Sequence, residues 1–223
     1  MSENAVRIEA LGDGALLVTL GDAIDNTLNA QAHAIAGAVD RLRATDRRFG
    51  RAVPAYASVL VPFDPVAVVP DEARNTVLSL LAELPPDQAT DDHGEVIEIP
   101  VRYGGVDGPD LADVAAHNDI GPDDVVALHS GTEYRTFFLG FAPGFAYLGP
   151  LPPQIAMPRL ATPRERVPAG SVGIAGPQTG VYPFAMPGGW RIIGRTDVAM
   201  WDLGRTPPSL VGPGDRVRFV PIG

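Results

Sequence analysis

Between Gly140 and Gly194, ten of the 55 residues are glycine and ten are proline. Glycine reaches backbone angles closed to other residues, and proline fixes the turns between them. The segment is not a floppy linker, because Phe141, Phe145, Tyr147, Ile174, Tyr182, Trp190 and Ile193 are spread along it. Turn formers interleaved with aromatic and branched apolar residues describe an ordered surface of loops and short strands. Such loops usually carry function.

Charge gives a second signal over the same stretch. The chain holds 17 Arg+Lys against 27 Asp+Glu, a net charge of −10. Yet Arg135, Arg159, Arg164, Arg166, Arg191 and Arg195 are accompanied by a single acid, Glu165. Guanidinium groups fork onto carboxylate or phosphate oxygens, and nearby acids would compete with an anionic ligand. The pattern therefore points to a site for a small anion or a carbonyl-rich substrate, the alternative being arginines that simply cap loop carbonyls.

Composition narrows the chemistry. No cysteine is present, which excludes disulfides, thiolate catalysis and Cys-based metal sites. All 17 cations are arginine, so neither a Schiff-base lysine nor a P-loop lysine is available. No apolar run approaches the ~20 residues that span a bilayer, and MSENAVRIEA lacks the layout of a signal peptide. A cytoplasmic location is the expectation. The acidic balance argues against a nucleic-acid partner.

The pattern along the chain reads as an α+β protein with two domains, 1–90 and 91–223. In the first, Val6–Leu11 and Ala15–Leu20 flank Gly12-Asp13-Gly14 as a hairpin. Helical spacing runs from Thr27 to Arg43 behind an Asp25 or Asn26 cap, a strand covers Ser58–Val61, and Pro70-Asp71-Glu72 opens a second helix through Leu84. Pro85-Pro86 stops that helix, and the polar segment Pro85–Gly94 marks the domain boundary. The second domain begins with a strand at Glu95–Tyr103, then short helices at Asp110–Asn118 and Pro122–His129 and a strand at Tyr134–Phe141. Further strands are expected at Ser171–Ala175, Gly189–Ile193, Val198–Trp201 and Val217–Pro221. Many short strands with Gly/Pro turns suggest a closed or nearly closed β-barrel.

Several standard sites are absent. Ser171 in Ala169-Gly170-Ser171-Val172-Gly173 is out of register for a nucleophile elbow. His33, His93, His117 and His129 lack metal-ligand spacing. His117 and His129 fall at helix ends, where dipole capping is the better reading; a general-base role for His129 is the alternative. Phe141, Phe145 and Tyr147 around Pro143-Gly144 form either a buried turn or an apolar pocket wall. Gln178, Thr179 and Tyr182 offer amide, hydroxyl and phenol groups to a substrate amide or carboxylate. Backbone N–H groups of Gly170–Gly173 are candidates for an anion-holding concavity.

The ordered series Gly140-Phe141-x-Pro143-Gly144-Phe145-x-Tyr147-Leu148, Pro158-Arg159-x-x-Thr162-Pro163-Arg164, Val167–Gly176, Gln178-Thr179-Gly180-x-Tyr182-Pro183 and Pro187-Gly188-Gly189-Trp190-x-Ile192-Ile193-Gly194-Arg195-Thr196 resembles the 5-oxoprolinase B-subunit family. That family is also described as KipI-like, as allophanate hydrolase subunit 1, and as carboxyltransferase subdomain C and D. With Val101-x-Tyr103-Gly104-Gly105 and Gly108–Leu111, the resemblance covers nearly the whole chain. It implies a small N-terminal α/β domain followed by a cyclophilin-like β-barrel. It implies partners too: the C-subunit of 5-oxoprolinase (allophanate hydrolase subunit 2-like) and a third protein, which together with this chain open 5-oxoproline to glutamate with ATP. No metal or covalent cofactor is implied for this chain.

The expectation is then a non-autonomous subunit of an ATP-dependent amide hydrolase. Arg159, Arg164 or Arg195 would hold a carboxylate or phosphorylated intermediate, Gln178, Thr179 and Tyr182 the amide, and Phe141, Phe145 and Tyr147 the apolar wall. The resemblance leaves open a KipI-like inhibitor of a histidine kinase, and a carboxyltransferase or allophanate hydrolase-type subunit of urea metabolism. The carboxyltransferase reading calls for a biotin carrier and a biotin carboxylase nearby, and the allophanate hydrolase one is weakened by the missing lysine of a Ser-Ser-Lys amidase set.

Overall fold

The computed structural model describes residues 6–84 and 96–223. Two compact units divide the chain, Met1–Asp92 and His93–Gly223. The boundary expected in Pro85–Gly94, and the stop at Pro85-Pro86, lie outside the described residues.

In the first unit, β1 (Arg7–Ala10) and β2 (Ala15–Thr19) form the expected antiparallel hairpin. Gly12 has φ +62°, which the tight connection needs and a side chain would oppose. Helix α1 (Asn26–Thr45) begins where the Asp25 carboxylate accepts the N–H groups of Thr27 and Leu28, at 2.8 and 3.0 Å. Short strand β3 (Val53–Pro54), β4 (Ser58–Pro62) and α2 (Pro70–Glu83) follow, giving one sheet in the order β1-β2-β4-β3. Alternation puts Val18, Val59 and Val61 on one face, fully buried with Val39 of α1 and Val77 of α2. Burying each such side chain contributes about 1.5–3 kcal/mol.

The second unit runs β5 (Val96–Tyr103), α3 (Leu111–His117), α4 (Pro122–Ser130), β6 (Glu133–Leu139), β7 (Ala146–Gly149), β8 (Arg164–Val167), β9 (Ser171–Ala175), β10 (Gln178–Val181), β11 (Met186–Gly188), β12 (Arg191–Arg195) and β13 (Arg216–Pro221). Seven strands close a barrel in the order β10-β7-β6-β13-β5-β12-β9, while β8 and β11 pair separately as a small arm. The β13–β5 pair is parallel; the other barrel pairs are antiparallel. Inward-facing Ile99, Tyr134, Leu148, Ile174, Ile193 and Phe219 fill the core and are at most 1% exposed. The architecture is the expected α+β one, with a closed mixed barrel.

Three strand readings change. The strand expected at Gly189–Ile193 runs over Arg191–Arg195. Val198–Trp201 is not a strand; it supplies only an isolated bridge between Trp201 and Ser209. The strand through Tyr134 ends at Leu139 rather than Phe141, because Phe141 has φ +67° and turns the chain. Among the described residues no helix is long and apolar enough to cross a membrane.

Candidate functional site

The site is built on the outer face of β9, β10 and β7. Thr179 points into the barrel, where its hydroxyl bonds Gly173 O, so its neighbours on β10 point outward. Gly180 and Gly173 are direct cross-strand partners. A Cβ on Gly180 would lie 2.8 Å from Ala146 O and 3.3 Å from the Trp190 ring; one on Gly173 would lie 3.1 Å from Trp190 Cβ. These two glycines form a floor on which Trp190 rests. Phe145, Tyr147, Tyr182 and Trp190 then meet edge to face, with ring centres 5.0–5.9 Å apart, a geometry that adds about 0.5–1.5 kcal/mol per pair beyond burial. Val167, Ala175 and Ile192 complete this second apolar cluster outside the barrel.

Above the rings lies a cavity of ≈ 260 Å³, lined by Phe141, Phe145, Tyr147, Tyr182 and Trp190 together with Arg159, Pro163 and the Pro187–Gly189 turn. Arg159 is the one cation in that lining. Its guanidinium carbon sits 5.9 Å from the Trp190 ring centre, within cation–π range. Neither an ion pair nor a hydrogen bond holds it among the described residues. Burial pushes the Tyr147 and Tyr182 phenols up, with the Arg159 charge pulling both the other way. Both hydroxyls therefore stay protonated at neutral pH and can donate as well as accept. The Tyr182 ring lies directly against Gly188, where a Cβ would collide with it.

Residues 6–211 match the family described as carboxyltransferase domain, subdomain C and D. The chain belongs to that family. Its carboxyltransferase C/D sequence is 40% identical to the B subunit of 5-oxoprolinase from Bacillus subtilis (strain 168), over 97% of this chain and 92% of that protein. Among solved structures it is similar to TTHA0988, at 40% identity and a TM-score of 0.79, covering 94% of this chain and 40% of that one. It thus spans two-fifths of TTHA0988. The urea amidolyase of Kluyveromyces lactis superposes with a TM-score of 0.81 over 100% of this chain and 15% of its own, at 20% identity; that likeness shows the fold alone.

Of the residues singled out in sequence, this carboxyltransferase C/D barrel gathers Phe141, Phe145, Tyr147, Arg159 and Tyr182 around one cavity. Four others go elsewhere. Arg164 Nη2 is 2.7 Å from Asp110 Oδ1, and the Asp110 carboxylate, 4% exposed, also accepts the Ile192 N–H at 2.6 Å. The acid missing from the Arg-rich stretch is thus supplied from the start of α3, and Arg164 is paired. Arg195 donates to Ala169 O at 3.1 Å, a loop-capping bond. Gln178 is 8% exposed and Thr179 wholly buried, because both lie in a barrel strand rather than a loop. The anion-holding concavity fails for a similar reason. Gly170 N–H is spent on Tyr182 O and Ser171 N–H on Pro168 O, while Val172 and Gly173 lie within strand β9.

His129 sits in the barrel core, fully buried, and stacks on Phe219 with ring centres 4.6 Å apart. Thr179 Oγ1 donates to Gly173 O, so at 2.8 Å it must accept from His129 Nε2–H. Nδ1 is then bare and accepts the Tyr103 hydroxyl at 2.7 Å. Both nitrogens are satisfied in the neutral tautomer, and burial pulls the pKa down to about 3. With no path to solvent or to the cavity, His129 ties α4 to the barrel rather than acting as a general base. Trp190 is the site residue that the sequence reading left out; its signal was the Pro187-Gly188-Gly189 turn delivering an aromatic into the same acid-poor stretch.

Proposed function

We propose that this chain is the B subunit of a multi-protein, ATP-dependent 5-oxoprolinase, and that its aromatic cavity holds the substrate while partner chains perform the chemistry. The observation that carries the reading is Arg159, set over Trp190 in an aromatic cavity with no acid to neutralise it. 5-Oxoproline is a small five-membered lactam with one carboxylate. The carboxylate is assigned to Arg159, the ring to the faces of Tyr147, Tyr182 and Trp190, and the amide oxygen to the protonated phenols. The name of the Bacillus subtilis relative, a B subunit of 5-oxoprolinase, supports the choice of substrate.

The division of labour follows from what the cavity lacks. The chain has neither cysteine nor lysine, His129 is sealed in the core, and Ser171 is 2% exposed. Nothing at the cavity serves as a nucleophile. ATP does not fit it either: a triphosphate calls for several converging donors, and here one guanidinium stands alone. ATP is therefore assigned to the partners, a C-subunit-type protein and a third chain. The test is reconstitution of ATP-dependent 5-oxoproline turnover from purified chains encoded together. Only the complete set should turn over, and Arg159→Ala should copurify with its partners yet lose about tenfold or more in kcat/KM, as loss of a charge-assisted bond implies. Full turnover by this chain alone would sink the proposal.

A further inference from the structure

Phe141 is held where its backbone resists being held. The Ala142 N–H bonds Gly140 O at 2.8 Å, and the residue between them has φ +67°. An i to i+2 bond around a positive φ is the rare, strained form of the γ-turn, and for a bulky side chain such a φ is a true outlier. Glycine occupies positions 140 and 144 on either side, yet at the strained position the chain carries phenylalanine.

Burial does not compensate the strain. The Phe141 side chain is 63% exposed, touching Phe145 edge-on with ring centres 5.4 Å apart. The turn around it is clamped. Gly140 N–H bonds Phe145 O at 3.1 Å and Phe145 N–H bonds Ala142 O at 3.0 Å. Gly144, at φ +77°, is backed against the chain at Met200 and Trp201, where a Cβ would come within 2.9 Å of Trp201 Cβ. The ring is thus a fixed wall of the cavity, and the only aromatic one that stands mostly in solvent. Backbone strain that persists only because its surroundings enforce it is characteristic of functional positions.

We infer that Phe141 is the specificity-determining wall of the cavity, setting the ring size of the cyclic amide acid it admits. The inference rests on the 5-oxoprolinase reading above. It predicts that the assembled enzyme prefers 5-oxoproline over its six-membered homologue, 6-oxopiperidine-2-carboxylate, by about 10–200-fold in kcat/KM, the range one methylene supports in an apolar pocket.

The experiment compares wild type, Phe141→Ala and Phe141→Gly in the assembled complex, with melting temperatures of the isolated chains. Both variants should lose at least tenfold of the ring-size preference while still copurifying with their partners. Phe141→Gly should melt several degrees above Phe141→Ala, since both lack the ring and only glycine accepts the positive φ without strain. An unchanged preference ratio, loss of copurification, or a glycine variant no more stable than the alanine one overturns the inference and leaves the 5-oxoprolinase reading standing. A wild-type complex inert toward 5-oxoproline overturns that reading, and this one with it.

Discussion

Acid should destabilise this protein through one buried ring. His129 is neutral in the core, with Nε2–H given to Thr179 and Nδ1 accepting from Tyr103, and burial lowers its pKa from 6.5 to about 3. In the unfolded chain the ring titrates near its ordinary value, so between these two pKa values the unfolded state binds the extra proton. The stability that His129 contributes is therefore complete above about pH 6.5 and is lost as pH falls toward 3. Each pH unit well below 6.5 costs about 1.4 kcal/mol, or about 2 kcal/mol at pH 5. A domain is stable by about 5–15 kcal/mol, so this one group takes a substantial share. The assay is urea denaturation from pH 7.5 to 4.5 for wild type and His129→Gln. The variant should be about 1–3 kcal/mol less stable at pH 7.5, because the Tyr103 hydroxyl loses its acceptor, but its stability should fall less steeply with acid. Asp46 and Asp197, whose carboxyls are held low by hydrogen bonds from Arg48 and Arg102, lose their contribution only below about pH 4, under the assayed range and equally in both proteins. Parallel pH profiles for the two would refute the reasoning.

Gly180→Ala places a methyl 2.8 Å from Ala146 O beneath the aromatic cluster. It should destabilise by about 1–3 kcal/mol and shift the Trp190 emission, as chemical denaturation and fluorescence would read. Asp110→Asn removes the counter-charge of half-buried Arg164 and turns an amide donor toward it. The expected cost is about 2–4 kcal/mol, allowing for the solvent that reaches Arg164. KM for 5-oxoproline in the assembled enzyme should rise as the arm carrying β8 and β11 loosens; an unaltered KM would remove Asp110 from any part in positioning the cavity.

Local rules made much of the fold legible. Asp25, one of two cap candidates, caps α1, and Ser171–Ala175 is a strand with the expected boundaries. The strands that escaped are all short, two to four residues: Val53–Pro54, Ala146–Gly149, Arg164–Val167, Gln178–Val181 and Met186–Gly188, and all but Arg164–Val167 contain Gly or Pro. Their pairing comes from distant partners, which local propensity cannot report. The same blind spot governed the site. Phe145 and Tyr147 are two residues apart and share a face of one extended segment, so their pairing could be anticipated. Gln178 and Thr179 read as loop donors only while β10 was unseen; once it is a strand, alternation sends Thr179 inward. Arg164 looked free because its acid, Asp110, lies 54 residues upstream, outside the stretch in which acids were scarce. His129 lies near the end of a short helix and is the one residue of its last turn that is buried, against Phe219 of the barrel, which sequence position alone does not disclose.

The central claim is that Arg159 and the rings around Trp190 bind the substrate through its carboxylate. The direct measurement is Trp190 emission, in a Trp201→Phe background, during titration with 5-oxoproline and with pyrrolidin-2-one, the same lactam without its carboxylate. The account predicts a saturable response to 5-oxoproline, binding of pyrrolidin-2-one at least about tenfold weaker, and no difference between the two in Arg159→Gln. Equal affinities for the two lactams in the parent protein, or a preference that survives in Arg159→Gln, would contradict it.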